Sequence, residues 1–264
     1  MFKIGSLFSG SSGNSFYISN SRGIILIDIG RSAKQIENSL KANDLNPSDV
    51  HSIFITHEHL DHVSGLRVFI KKYSPKIYGS LGTINELLSK NIINQCDNYH
   101  EINVNFGIDL EDIFVKSFRI SHDCAEGFGY TIEFKNSKIA FCSDLGYISE
   151  NVFNAILGSN IVFLESNHSI DMLKNGSYPV FLKERILSHK GHLSNGACAG
   201  ILPDLFRRGT TRFVLCHLSS ENNTPEIAYQ TSLKSLQNHG LIENKDFEIR
   251  VAPKESMGKF KILI

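Results

Sequence analysis

Seven consecutive residues, Thr56-His57-Glu58-His59-Leu60-Asp61-His62, constrain this chain more than any other stretch. They follow directly on the apolar run Ile53-Phe54-Ile55, which reads as a buried β-strand. In an extended loop side chains alternate with period two, so His57 and His59 point the same way. Asp61 and His62 arrive as the chain turns into a helix with Leu66, Phe69 and Ile70 on its inner face, and Pro75 stops that helix. Such a cluster of imidazole and carboxylate donors at the C-terminal end of a strand is what a metal site requires. The bland alternative is a solvated His-rich turn, and the H-x-H-x-D-H spacing argues against it.

Short apolar runs alternate with amphipathic stretches from end to end. Ile24–Ile27 is a buried strand closing on Asp28, and Ala33, Ile36 and Leu40 then recur at helical spacing until Asn46-Pro47 breaks the pattern. From about Phe106 to Cys142 the pattern is β, with Asn136-Ser137 as a hairpin turn. Ser149 can cap a helix carrying Val152, Phe153, Ile156 and Leu157, with Gly158 just past its end. Ile161–Leu164 and Phe213–Cys216 are further strands. A last helix near 225–238 precedes two terminal strands, Phe247–Val251 and Phe260–Ile264. No linker or shift in composition splits the chain, so one α/β domain spanning 1–264 is expected, with mixed sheets covered by helices.

Composition excludes several classes. With 41% hydrophobic and 20% charged residues, disorder, collagen and coiled coil are ruled out. Lys+Arg and Asp+Glu balance at 27 each, so no global basic surplus points to nucleic acid, although a local patch can hide in a neutral total. No apolar run is long enough for a membrane span, and the N-terminus lacks a signal-peptide core. The 5 cysteines, without a C-x-x-C pair, read as reduced and mostly core thiols. The expectation is a cytoplasmic protein with no membrane partner and an undetermined oligomeric state.

The His57–His62 segment resembles the signature of the metallo-β-lactamase superfamily. That resemblance implies an αβ/βα sandwich, two mixed β-sheets flanked by helices in four layers, with two metals at one edge. It also supplies the remaining ligands in order. His122 resembles the third histidine of the first metal, Asp144 the carboxylate shared by both, and His217 the last histidine of the second. The implied partition puts His57, His59 and His122 on one metal and Asp61, His62 and His217 on the other, with Asp144 shared and Asp61 also counted in the catalytic set. Asp28 matches the aspartate that supports the site from behind its ligands. Two divalent ions are implied; these donors suit zinc, and manganese or iron would also fit. The resulting net-positive centre favours an anionic ester, attacked by a hydroxide shared between the metals.

Two more features narrow the branch. True metallo-β-lactamases commonly carry Cys where this chain has Asp144. Glu165 in Leu164-Glu165-Ser166-Asn167-His168 and His192 in Gly191-His192-Leu193-Ser194-Asn195 resemble a pair in the tRNA 3′-processing nucleases of the superfamily. There the His contacts the scissile phosphate or protonates the leaving oxygen, oriented by the Glu. Taken with Ser9-Gly10-Ser11-Ser12-Gly13-Asn14 and Ser143-Asp144-Leu145-Gly146, these motifs are similar to the bacterial YycJ/WalJ group. That likeness implies a phosphodiesterase or nuclease with 5′→3′ DNA exonuclease activity and DNA as partner. The alternatives are a hydrolase of a small ester, lactone, thioester or cyclic phosphate, and a non-catalytic metal-binding module. The Ser9–Asn14 loop is either a plain hairpin turn or a set of backbone N–H groups near the metals. Between Lys183 and Arg212 six Lys/Arg face Glu184 and Asp204, either a solvated face or a track for a nucleic-acid backbone. His168 is open between a substrate contact and a structural role, and His51, His100, His189 and His239 read as solvated.

Overall fold

The computed structural model describes residues 2–105, 107–110, 112–256, 258 and 260–263. Phe106 and Ile264, named above as ends of expected strands, lie outside the described residues. The chain divides into two compact units, Met1–Val104 with Cys124–Phe128 and Ala252–Ile264, and Asn105–Asp123 with Gly129–Val251.

The first unit holds strands β1 (Lys3–Phe8), β2 (Ser15–Asn20), β3 (Gly23–Ile27), β4 (Val50–Phe54), β5 (Lys76–Gly79) and β6 (Tyr99–Glu101). Its helices are α1 (Ala33–Ala42), α2 (Leu60–Val63), α3 (Leu66–Tyr73) and α4 (Leu81–Ser89). The second unit has β7 (Gly107–Leu110), β8 (Ile113–Arg119), most of β9 (Phe128–Phe134), β10 (Ser137–Cys142), β11 (Ile161–Glu165), β12 (Arg212–Cys216) and β13 (Glu248–Val251). Its helices are α5 (Glu150–Ile156), α6 (Ile170–Asn175), α7 (Val180–Leu187), α8 (Asn195–Arg207) and α9 (Pro225–Gln237). The terminal strand β14 (Lys261–Leu263) returns to pair with β1.

Each unit therefore carries one seven-stranded mixed sheet, ordered β14-β1-β2-β3-β4-β5-β6 in the first and β13-β12-β11-β10-β9-β8-β7 in the second. In both, antiparallel pairs lead into a run of parallel strands joined by helices. These are the mixed sheets with flanking helices of the expected fold class. Parallel strands are covered on both faces, which is why Ile24–Ile27 and Ile161–Leu164 are unbroken apolar runs. One face packs on helices: Ile36, Leu40, Leu66 and Phe69 meet Leu26 and Ile53 in the first core, while Val152, Ile156, Leu202 and Leu236 meet Val162 and Leu215 in the second. The other face carries a stacked aromatic pair in each sheet, Phe54–Tyr78 at 4.6 Å and Phe141–Phe163 at 4.5 Å.

Helix boundaries follow their caps. Ser32, Ser80, Ser149, Ser169, Ser194 and Thr224 each accept a backbone N–H of the first turn of their helix. Helix α1 stops at Ala42, ahead of the expected Asn46-Pro47 break, because Asn43 caps it and Asp44 turns left-handed at φ 59°. The β9–β10 turn sits one residue earlier than expected: Ser137 already pairs with Phe134, and Lys135-Asn136 form the loop. Strands β5 and β6 and helix α4 are not among the expected elements, although Leu81, Ile84 and Leu87 of α4 do recur at helical spacing. Three of the five cysteines are buried, and all five are free thiols. Among the described residues no helix is long and apolar enough to cross a membrane.

One glycine fixes how tightly the first unit closes. A Cβ at Gly30 would lie 1.7 Å from the Asp61 carbonyl oxygen and 2.5 Å from the Asn14 nitrogen, both backbone atoms that cannot swing aside. Gly200 in α8 has nothing within 4 Å of the same position. Gly30→Ala is therefore expected to lose about 1–3 kcal/mol in denaturant unfolding, and Gly200→Ala to gain about 0.5–1 kcal/mol from helix propensity. Equal effects from the two would contradict this packing.

Candidate metal and catalytic centre

The donors of the first unit sit beyond the C-terminal ends of β3 and β4. Asp28 follows β3 in a left-handed conformation, φ 61°, and is fully buried. Its Oδ1 accepts the Thr56 backbone N–H at 2.8 Å, and its Oδ2 accepts the Thr56 hydroxyl at 2.7 Å and His62 Nδ1 at 2.7 Å. Burial pushes the Asp28 carboxyl above its usual range, and the charge and hydrogen bond of His62 oppose that shift. The carboxylate is an acceptor, so His62 carries its proton on Nδ1 and leaves Nε2 as a lone pair.

The same logic settles His57. The Thr56 hydroxyl gives its hydrogen to Asp28, so at 3.0 Å it can only accept from His57 Nδ1, which leaves His57 Nε2 as the lone pair. That nitrogen lies 3.1 Å from His59 Nδ1. His62 Nε2 lies 3.5 Å from Asp61 Oδ2. Two donors on one tetrahedral zinc are separated by about 3.3–3.6 Å, given Zn–N and Zn–O bonds of about 2.0–2.2 Å. The Asp61–His62 edge falls within that range and the His57–His59 edge just below it. The donor set and its spacing fit divalent ions.

In the second unit the centre is organised by Glu165, the last residue of β11, which is fully buried. Its Oε2 accepts Leu145 N–H at 2.7 Å and Leu193 N–H at 3.0 Å, while its Oε1 accepts His192 Nδ1 at 2.8 Å and His217 Nδ1 at 2.7 Å. Burial alone would raise the Glu165 carboxyl, but His192 and His217 outweigh it and hold it down to about 2. Burial also depresses His192, yet Glu165 beside it raises this imidazole net above its ordinary value. Asp144, Glu165, His192 and His217 each offer a ligand atom within 4.8 Å of the others. Asp144 and His217 follow β10 and β12 in left-handed conformations, φ 59° and 54°. A non-glycine residue in that region costs about 1–3 kcal/mol and persists only where its surroundings impose it.

His122 is also buried; its Nδ1 lies 3.2 Å from the Gly191 carbonyl and its Nε2 3.9 Å from Asp144 Oδ1. Burial lowers its pKa, which favours the neutral imidazole that a metal needs. The loop carrying His192 is stitched to the loop of His122, and that loop in turn to the loop of Asp144. Asp123 N donates to Lys190 O, Ser121 Oγ to His189 O and Gly146 N to Ser121 O.

Other sequence-level candidates fall elsewhere. His168 is 1% exposed, and neither ring nitrogen has a hydrogen-bond partner among the described residues; burial lowers it to about 4, so it is neutral. His51, His100, His189 and His239 are exposed, as expected. The Lys183–Arg212 run is not a uniform cationic stripe: Lys183 caps carbonyls of Lys174 and Gly176, Arg185 pairs with Asp123, and Arg207 with Asp204. Two functional contacts escape sequence reasoning, the Glu165–His217 bond and the approach of Asn14 to Asp61 and His62. Nothing in the local pattern signals the first; the Asn at the end of the Gly/Ser loop is the only hint of the second.

Residues 24–218 match the family described as the β-lactamase superfamily domain. The chain is 38% identical over 245 residues to exodeoxyribonuclease YycJ of Bacillus anthracis, covering 92% of each. It is 34% identical over 250 residues to exodeoxyribonuclease WalJ of Streptococcus pneumoniae, covering 94% of this chain and 93% of that one. The crystal structure of the metallo-β-lactamase fold protein YhfI from Bacillus subtilis superposes with a TM-score of 0.72 at 11% identity, over 97% of each chain, a likeness of fold alone. With two mixed sheets, and imidazole and carboxylate donors gathered at the ends of parallel strands, the chain belongs to the metallo-β-lactamase superfamily, as one of its metal-dependent hydrolases.

Proposed function

We propose that this chain is a dinuclear metal-dependent nuclease that degrades DNA from 5′ ends, and that it works in the cytoplasm. Support for DNA and for exonuclease action comes from the relatives of nearly the same length named above. The observation that carries phosphodiester chemistry is the buried Glu165 holding His192 at 2.8 Å. The same proposal takes the two units as one domain. It assigns His57, His59 and His122 to one ion, Asp61, His62 and His217 to the other, and Asp144 to both, in the order the superfamily uses.

Two divalent ions, when bound, lower the pKa of coordinated water and neutralise phosphate charge. The protein's own groups supply the rest. Glu165 is a positioning residue: it accepts His192 Nδ1–H and so turns Nε2 toward the reacting phosphate. The raised pKa of His192 keeps a larger share of this imidazole protonated at neutral pH, which suits a group that gives a proton to the departing oxygen. Because Glu165 also holds His217, the pair is coupled to one metal ligand as well as to the acid.

Elemental analysis of the reconstituted protein is expected to give two divalent ions per chain. Asp28→Asn, which weakens the hold on His62 Nδ1, is expected to lower affinity for one of them by about 10–100-fold in chelator competition. Unchanged affinity for both would remove Asp28 from its supporting role.

His192→Ala is expected to keep both metals and to lose roughly 10²–10⁴ in turnover. Glu165→Gln should lose turnover and also weaken one metal, through His217. The double variant should turn over little worse than Glu165→Gln alone. The decisive assay is a time course on 5′- and 3′-end-labelled duplexes, with metal and with chelator. Intact DNA beside rapid ester or lactone turnover would reject the nuclease reading.

A further inference from the structure

Asn14 ends the Ser9–Asn14 turn between β1 and β2 and is completely buried. As a turn former it needs little: Gly13 N donates to Gly10 O at 2.9 Å, and Asn14 Oδ1 accepts Gly10 N–H at 2.9 Å. That second bond also fixes which way the amide faces, because Oδ1 is the acceptor and Nδ2 must then point the other way. Nδ2 lies 3.1 Å from His62 Nε2, and 3.4 Å from both Asp61 Oδ2 and the Asp61 carbonyl. No turn requires those contacts. The backbone adds to them: Asn14 N donates to Asp61 O at 2.7 Å and Gly30 N to Asn14 O at 2.8 Å. This three-way knot is the one that admits no side chain at Gly30.

We propose that Asn14 is a positioning residue for the metal held by Asp61 and His62, setting the spacing of those two donors through its amide Nδ2. The proposal rests on the two-metal reading above. His62 Nε2 is an acceptor, because Asp28 takes the proton on Nδ1, so a donor amide is the right partner for it. The second hydrogen of Nδ2 faces Asp61. One rigid, buried group thus addresses both members of an edge 3.5 Å long, inside the tetrahedral range given above. When His62 gives its lone pair to a cation, the amide still holds Asp61 Oδ2, an oxygen with more than one lone pair that can accept this bond and face the ion as well. Asn14 thereby lowers the ordering cost of a partly exposed ligand, the usual contribution of a residue that supports a metal ligand.

The test measures metal affinity by chelator competition, resolved for each equivalent, in the full-length protein and in Asn14→Ala, Asn14→Ser and Asp61→Ala. Asn14→Ser retains a hydroxyl that can accept from Gly10 N–H but is too short to reach Asp61 and His62. Both Asn14 variants are expected to weaken one equivalent by about 10–100-fold and to spare the other. The Asn14→Ala/Asp61→Ala double variant should bind no worse than Asp61→Ala, because the path runs through that carboxylate. Three outcomes would overturn the proposal: Asn14→Ser binding like the unaltered protein, independent multiplication of the two losses, or a fall in melting temperature with both affinities intact. Should the unaltered protein bind fewer than two ions, the two-metal reading itself fails. Two ions with unchanged affinity in Asn14→Ala would defeat this inference alone.

Discussion

A single buried carboxylate sets the geometry of the second unit. Glu165 has no access to water, so its charge survives only because four donors surround it. Those donors come from the residue after Asp144, the residue after His192, and the two imidazoles His192 and His217. Leaving any of them out would strand a buried charge, at a cost of several kcal/mol. The requirement therefore pulls the end of β10, the start of α8 and the end of β12 onto the end of β11. Asp28 does the same work in the first unit with Thr56 and His62. Each sheet places an acid at the C-terminal end of a parallel strand, and each acid fixes the tautomer of a buried histidine.

This arrangement explains why the sheets are built as they are. Parallel strands joined by helices bring several strand ends to one edge, where loops from distant parts of the chain can meet around one group. The apolar strands and their helix faces supply rigidity, so that donors are held by packing as well as by hydrogen bonds. The stitching of 121–123, 144–147 and 188–191 extends that rigidity into loops that would otherwise be mobile. A site assembled this way keeps its spacing before any ligand arrives.

Much of this was legible in the sequence, and the reasons for the remainder are specific. Donor type and position at strand ends survive as local pattern, which is why His57 to His62, His122, Asp144 and His217 stand out as candidate donors from spacing and family likeness. The helices of β3–α1–β4 and α5 were readable because Ile36, Leu40, Val152 and Ile156 repeat with the helical period. The bond from Glu165 to His217 spans 52 positions and that from Asn14 to Asp61 spans 47. Contacts at such separations leave no periodicity. His168 was open in the sequence because burial is a property of the packed sheet, and its side chain proved inaccessible. The basic run was open in the sequence for a related reason: counting charges ignores that Lys183, Arg185 and Arg207 are engaged by neighbours.

The left-handed backbone at Asp28, Asp144 and His217 has an evolutionary consequence. None of the three is a glycine, and each sits where glycine would relax the chain at no steric cost. Mutation toward glycine at these positions removes strain while deleting a donor or its support. At Asp28 and His217 that relief is outweighed by the loss of buried hydrogen bonds, so glycine there would cost stability even in a lineage freed from selection on the reaction. Degenerate descendants should therefore keep both residues on an otherwise intact pair of sheets, so that their presence alone does not mark a working site.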